Sequence, residues 1–404
     1  MKGITLSFLL VCLFMLSGCW DLTEIEQLSF VIGTALDPVD DEEIKARYQK
    51  ETGRPLPKEM FQVTNQVVIP GLIEGGGEGG GSPAEGPFFN IRSTGMTNFK
   101  INRNFTSRRS RVMNYEHVKV VLINEELARE GIIESVIDFF ARDHAMRRDF
   151  LVLISKGSGY EILENKLPLE IMPAISIEMM SNNTEKGHSI PPKKYIGELI
   201  NNVASHQSYI IPRITKTGGD GIKLAGAAVF FGRENKMVGW LGEYDIQGYG
   251  WVTGEVENEA IEAFYGPEQK PFVFETDSGE VKVDYQHENG KDLFTITIMA
   301  EGFFVDNWIG GIDLDTHETI SKLEQEVANE IKRQSTKVIE KMQNEFYTDI
   351  FQLHDEVRIH ENSYWQEVKD RWDGEDGAFS KAEINLEVDV EIRHYMTTAE
   401  LEEN

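Results

Sequence analysis

Cysteine is nearly absent from this 404-residue chain. Cys12 and Cys19 are the whole supply, too few for a disulfide framework or a cysteine zinc cage. Basic residues are also scarce: 40 Lys and Arg stand against 68 Asp and Glu, a formal net charge of −28. Such a chain has no electrostatic footprint for a phosphate backbone, which excludes nucleic acid as a partner. The same charge repels anionic lipid, so any membrane attachment must have another source. Long apolar runs are missing too. The stretch Ile4 to Leu16 has no charge, but it is too short to cross a hydrocarbon core and suits the apolar region of a signal peptide.

Chemical motifs are equally thin. The nine histidines do not cluster. His354 and His360 have neither the spacing of a zinc helix nor that of a strand pair, so they read as solvated. There is no Gly-x-Ser-x-Gly elbow and no calcium loop. Acids are so abundant that choosing two as a general acid–base pair would be arbitrary. The sequence therefore nominates no catalytic, cofactor-binding or metal-binding residue, and the expectation is a protein that is not an enzyme.

What is present begins at the N-terminus. Lys2, the apolar run and Leu16-Ser17-Gly18-Cys19 read as a bacterial lipobox. Cleavage before Cys19 and acylation of its thiol would give stable membrane residence through more than one acyl chain. It would also discard Cys12 and leave no free thiol.

Beyond it, Ser29–Leu36, Gln62–Ile69 and Phe88–Thr94 have strand character. A charged helix-turn insertion at Asp40–Lys58 and a glycine-rich surface loop at Gly71–Pro87 separate them. A helix is expected over Met96–Asn104. Arg108, Arg109 and Arg111 follow, and in so acidic a chain they are expected to pair with carboxylates. Val118–Ile123 and Phe150–Ser155 are buried strands. Asn124 caps the helix Glu125–Glu130, Gly131 stops it, and Ile133–Phe140 is helical again. A boundary is expected at Ile190-Pro191-Pro192. A helix (Lys194–Ala204) and strands at Ser208–Ile214, Ile222–Gly232 and Lys236–Leu241 come after it.

The last third reads as three strands between Phe272 and Phe304, with turns at Asp277-Ser278-Gly279 and Glu288-Asn289-Gly290. Next is a long helix opened by an Asp315/Glu318 capping box and carrying apolar residues from Ile320 to Ile350. Trp365 and Trp372 then lie on one face of a shorter helix, and the expectation is that both pack it on its sheet. A final strand spans Ile384–His394. The fold class expected is α+β: three consecutive mixed α/β domains, the last a sheet packed by one long helix. The bounds are 1–18 for the signal peptide, then 19–190, 191–268 and 269–404.

The order of these features resembles the Ger(x)C family, the lipoprotein C subunits of spore germinant receptors. The similar stretches are Gly18-Cys19-Trp20-Asp21, His117-Val118-Lys119, Glu125 to Ile132 and Phe140-Ala141-Arg142-Asp143. Tyr209 to Pro212, Lys223 to Phe230, Met237-Val238-Gly239 and Leu323-Glu324 continue the series, with Trp365 and Trp372 beyond them. The resemblance implies a three-domain protein on the outer face of the spore inner membrane, held by lipid on Cys19. It also implies assembly with two polytopic membrane partners, the A and B subunits, to trigger germination by small nutrients. The alternative is a solute-binding lipoprotein of an importer, which would show two similar lobes around a cleft.

Overall fold

The computed structural model describes residues 27–393, except 40, 55–59, 71–85, 143–145, 166, 168, 186–189, 220, 257 and 310–315. Cys19, the glycine run and Asp315 lie outside the described residues.

The first nine strands form one sheet. They are β1 (Leu28–Pro38), β2 (Phe61–Val68), β3 (Phe88–Gly95), β4 (Val112–Asn114), β5 (Val120–Asn124), β6 (Leu151–Lys156), β7 (Tyr209–Lys216), β8 (Ile222–Phe231) and β9 (Lys236–Leu241). Their order is β3-β2-β1-β5-β6-β7-β8-β9, with β4 beside the start of β1. The central strands β1, β5, β6 and β7 run parallel, and the flanks on each side are antiparallel. Parallel strands covered on both faces read as continuous apolar runs, and β5, Val-Val-Leu-Ile-Asn, is buried throughout.

Its even and odd residues serve different cores. Val121 and Ile123 face helices Asn98–Thr106, Glu125–Glu130, Ile133–Arg142 and Ile196–Ser205, while Val120 and Leu122 face helices Gly159–Leu163 and Pro173–Ser181. Local signals act as expected here. Asn124 Oδ1 accepts from Glu126 N at 2.9 Å, and Gly131, at φ 91°, closes the short helix in the left-handed region. The charged insertion folds as helix Glu42–Thr52 with no buried residue.

The second sheet is β10 (Ala260–Tyr265), β11 (Lys270–Glu288), β12 (Lys291–Asn307) and β13 (Glu383–Arg393), in that order. The long helix His317–Lys341 links β12 to β13, which pair in parallel. Its apolar stripe (Leu323, Val327, Ile331, Val338) is buried against this sheet, against helix Glu243–Thr253 and against Ala227, Val229 and Leu241 of the first sheet. Trp251 is fully buried there, and its Nε1 donates to Gln334 Oε1 at 3.2 Å.

Four expectations change. The first and middle segments, 19–190 and 191–268, share one sheet, because Ile154–Lys156 of β6 pair with Arg213–Thr215 of β7 across the Pro-Pro break. β10, within the expected middle segment, belongs to the second sheet. Asp277-Ser278-Gly279 is no turn: β11 runs through it with a bulge between Thr276 and Ser278. Gly279 meets a close approach instead, since a Cβ there would lie 2.7 Å from Val256 Cγ2. The long helix takes Thr316 as its N-cap and ends at Lys341, followed by a π-turn over Met342–Phe346 and Tyr347 at φ 53°. Ile350 therefore lies beyond it.

The arginine cluster is also partnered differently. Arg108 Nη1 donates to the Arg92 carbonyl at 2.9 Å, and Arg109 lies over the Phe89 ring. The basis is geometric: among the described residues, Arg108 meets a strand edge and Arg109 an aromatic face.

Candidate functional site

Three chain segments converge between the two sheets: the entry to β7, the turn after β8, and the stretch from Thr348 to Asp373. Tyr347, left-handed, reverses the chain so that Asp349 turns inward, and Asp349 is 1 % exposed. Its carboxylate takes five donors. Oδ1 accepts from Phe351 N (3.1 Å) and Leu353 N (3.2 Å). Oδ2 accepts from His354 N (2.9 Å), His354 Nδ1 (3.1 Å) and Trp372 Nε1 (2.9 Å).

The cluster extends to the first sheet. Asp349 N donates to Asp373 Oδ1 at 2.8 Å, and Ser208 Oγ donates to Asp373 Oδ2 at 2.6 Å. Gly232 N donates to Ser208 Oγ at 3.0 Å. Gln207 Nε2 lies 2.8 Å from His354 Nε2. A neutral ring, its Nδ1–H given to Asp349, accepts the amide N–H there; a charged ring is met by the amide turned to offer its oxygen. Trp365 stacks on His354 with centroids 5.5 Å apart, and Trp372 meets Trp365 edge-on at 5.7 Å.

Electrostatics sort the three titratable groups. Burial alone would raise Asp349, but the hydrogen bonds and charge of His354, with Trp372 behind them, outweigh it and hold the carboxyl below its ordinary value. Burial likewise opposes the His354 imidazolium, yet the hydrogen bond and charge of Asp349, with Asp355 and Asp373, raise its pKa. Asp373 is left over: burial first, then repulsion from Asp349, push it up to about 6. The cluster floors a cavity of about 850 Å³, with Arg233, Arg358 and Lys369 around the mouth.

His354 and His360, expected together in solvent, part company. His354 is 4 % exposed and bound to Asp349, whereas His360 is exposed and pairs with Glu356. Trp365 and Trp372 do pack inward, but not on one helix face, because helix Asn362–Val368 ends before Trp372. Asp349, Asp373, Ser208 and Gln207 escaped the sequence reading because they are four ordinary polar residues among many. The one local hint was an Asp and a His five apart with apolar residues between them. Among the described residues, no group of three or more His, Cys, Asp or Glu side chains is arranged to hold a metal ion. No helix among them is long and apolar enough to cross a membrane.

The architecture defines a class first: an α+β protein in which a mixed nine-stranded sheet and a four-stranded sheet share one core and an Asp–His–Asp cluster whose Asp349 and His354 are buried and whose Asp373 is half-buried. Residues 21–216 match the family described as "Spore germination protein N-terminal domain", and residues 225–396 match "Spore germination B3/ GerAC like, C-terminal". The chain is 31 % identical to spore germination protein YndF of Bacillus subtilis (strain 168), over 97 % of this chain and 96 % of that protein. It is 26 % identical to spore germination protein B3 of the same organism, over 97 % of each. The crystal structure of the GerBC protein has a similar fold (TM-score 0.55, 22 % identity), covering 92 % of this chain and all of that one. The chain belongs to the Ger(x)C family of spore germination proteins.

Proposed function

We propose that this chain is the lipoprotein C subunit of a nutrient germinant receptor, working without catalysis beside polytopic A and B subunits on the outer face of the spore inner membrane. The observation that carries the reading is the family match, which runs in order through both halves of the chain. Cys19 is the proposed attachment point. Leu28, where β1 starts, lies nine positions further on, so the tether reaches at most about 30 Å and keeps the body at the bilayer surface.

The cluster supports a non-catalytic role. An Asp–His pair needs a nucleophile on the outer ring nitrogen, but His354 Nε2 is engaged by Gln207, and the Ser208 hydroxyl is given to Asp373. The continuous nine-stranded sheet counts against two like lobes around a solute cleft.

The test is deletion of the gene in the spore-former that carries it, followed by germination on a panel of nutrients. Loss of response to one nutrient class with normal growth supports the receptor subunit. Normal germination with impaired uptake of a solute overturns it in favour of an importer lipoprotein.

A further inference from the structure

The cavity between the sheets has more polar capacity than the fold uses. Asp349 is saturated by five donors, His354 has partners on both ring nitrogens, and Ser208 is engaged on both sides. Asp373 is different. Each of its oxygens accepts one hydrogen bond, which leaves a further lone pair on each, and it lines the cavity beside Trp365 and Trp372. The nearest cation, His354, is already committed to Asp349.

Arg358 is paired with Asp355 at 2.9 Å, and Lys369 donates to Gln366 at 2.8 Å, with Asp370 next to it. His206 lies exposed at the end of the helix before β7. Arg233 follows Gly232, whose N–H holds Ser208, and it has no ion-pair partner among the described residues. Lys369 and Asp370 also lack an ion-pair partner among the described residues, but of the cations at the opening Arg233 makes no side-chain hydrogen bond either, and Asp373 is the acid of the cluster with room for another donor.

We propose that this cavity binds a small organic ammonium compound, its N–H groups donating to Asp373 and its carbon skeleton lying against Trp365 and Trp372. Asp373 is half-buried, and a partly desolvated carboxylate without a cation carries a cost that an ammonium lowers. Indole walls add attraction for the same charge. An acidic group on the far end of the ligand meets Arg233. The site is independent of the receptor-subunit reading, because it rests on the cavity and not on the anchor or on partner subunits.

The experiment uses the full chain in detergent, titrated with propylammonium, 4-aminobutanoate and tetramethylammonium while tryptophan fluorescence is followed. Propylammonium is expected to bind saturably at about pH 7.5, and its apparent affinity falls roughly tenfold by about pH 5 as Asp373 takes up its proton. His354, whose pKa is raised, acts in the same direction wherever it is protonated, by placing a cation beside the site. Tetramethylammonium, with no N–H, binds more weakly than propylammonium.

Asp373→Asn keeps an oxygen for the Asp349 N–H and is expected to abolish both the binding and its pH dependence. Arg233→Ala weakens 4-aminobutanoate only. The wild-type pH series needs no variant to fold, so it decides the matter even if Asp373→Asn does not. The proposal is overturned if no amine gives a saturable change at about pH 7.5, or if the wild-type affinity is the same at about pH 5. Equal binding by a folded Asp373→Asn overturns it as well.

Discussion

Asp349 is the side chain on which the junction between the sheets depends. Replacing it with alanine strands three backbone N–H groups, the Trp372 indole and a buried imidazole at once. Breaking a buried pair in this way costs about 3–5 kcal/mol, and urea unfolding of Asp349→Ala is expected to show a loss of that size. The cluster also sets a pH dependence. Asp373, raised from 3.8 to about 6, contributes stability that is complete below 3.8 and lost as pH climbs through about 6. His354, raised from 6.5, contributes stability present below 6.5 and lost as pH rises through its higher folded value. Asp349, lowered from 3.8, acts oppositely: its contribution is present above 3.8 and fades as pH falls through its folded value. The melting temperature should therefore decline from mildly acid to alkaline pH. In Asp373→Asn the part of that decline that runs between 3.8 and about 6 disappears, while the later part due to His354 stays. A scan of Tm against pH in both proteins checks this.

At the scale of elements, helix Glu243–Thr253 fits closely against the long helix. Gly248 lets their backbones meet: a Cβ there would stand 2.3 Å from the Gln334 carbonyl oxygen. Lys341 Nζ donates to the buried Asp245 at 2.8 Å and ties the same two helices. Gly248→Ala must push the helices apart, an overpacking cost of about 1–3 kcal/mol, visible as a lower Tm with unchanged circular dichroism. Helix Glu243–Thr253 was not legible in the sequence. It holds Gly248 and Gly250, which lower helix propensity, and it is buried on so many sides that no amphipathic stripe marks it. By contrast, the short helix after β5 was legible to the residue, because Asn124 and Gly131 act through the backbone next to them. Asp277-Ser278-Gly279 misled for the converse reason: a glycine needed for contact with Val256 has the same local appearance as one needed for a turn.

At the scale of the whole molecule, the two family segments meet between residues 216 and 225, an interval that holds the connection between β7 and β8 and the first residues of β8. These strands are hydrogen-bonded neighbours, and Ala227 and Val229 of β8 pack in the core shared with β11, β12 and the long helix. Neither half can bury its own edge. The chain is therefore expected to unfold in one calorimetric transition, and the separate pieces 21–216 and 225–396 to be protease-sensitive and poorly dispersed by NMR. Two transitions, or a stable isolated half, would contradict that. Cys19→Ala is expected to release the body from membranes while leaving its Tm unchanged, because Cys19 precedes β1 and lies outside the described fold. Fractionation of the alanine variant with membranes at the wild-type level would sink the anchor.

The sequence by itself determined the acidic character, most strands and helices, and the family, since each of these is written in composition, in short-range periodicity or in residues close together along the chain. Only the tertiary structure decided that the first two segments share one sheet and that Asp349, His354, Asp373, Ser208 and Gln207 form one cluster. Pairing of β6 with β7 joins residues about sixty apart, and the Ser208–Asp373 contact spans 165. Contacts of that separation depend on how apolar faces are buried together, and no local pattern encodes which distant polar residues will meet.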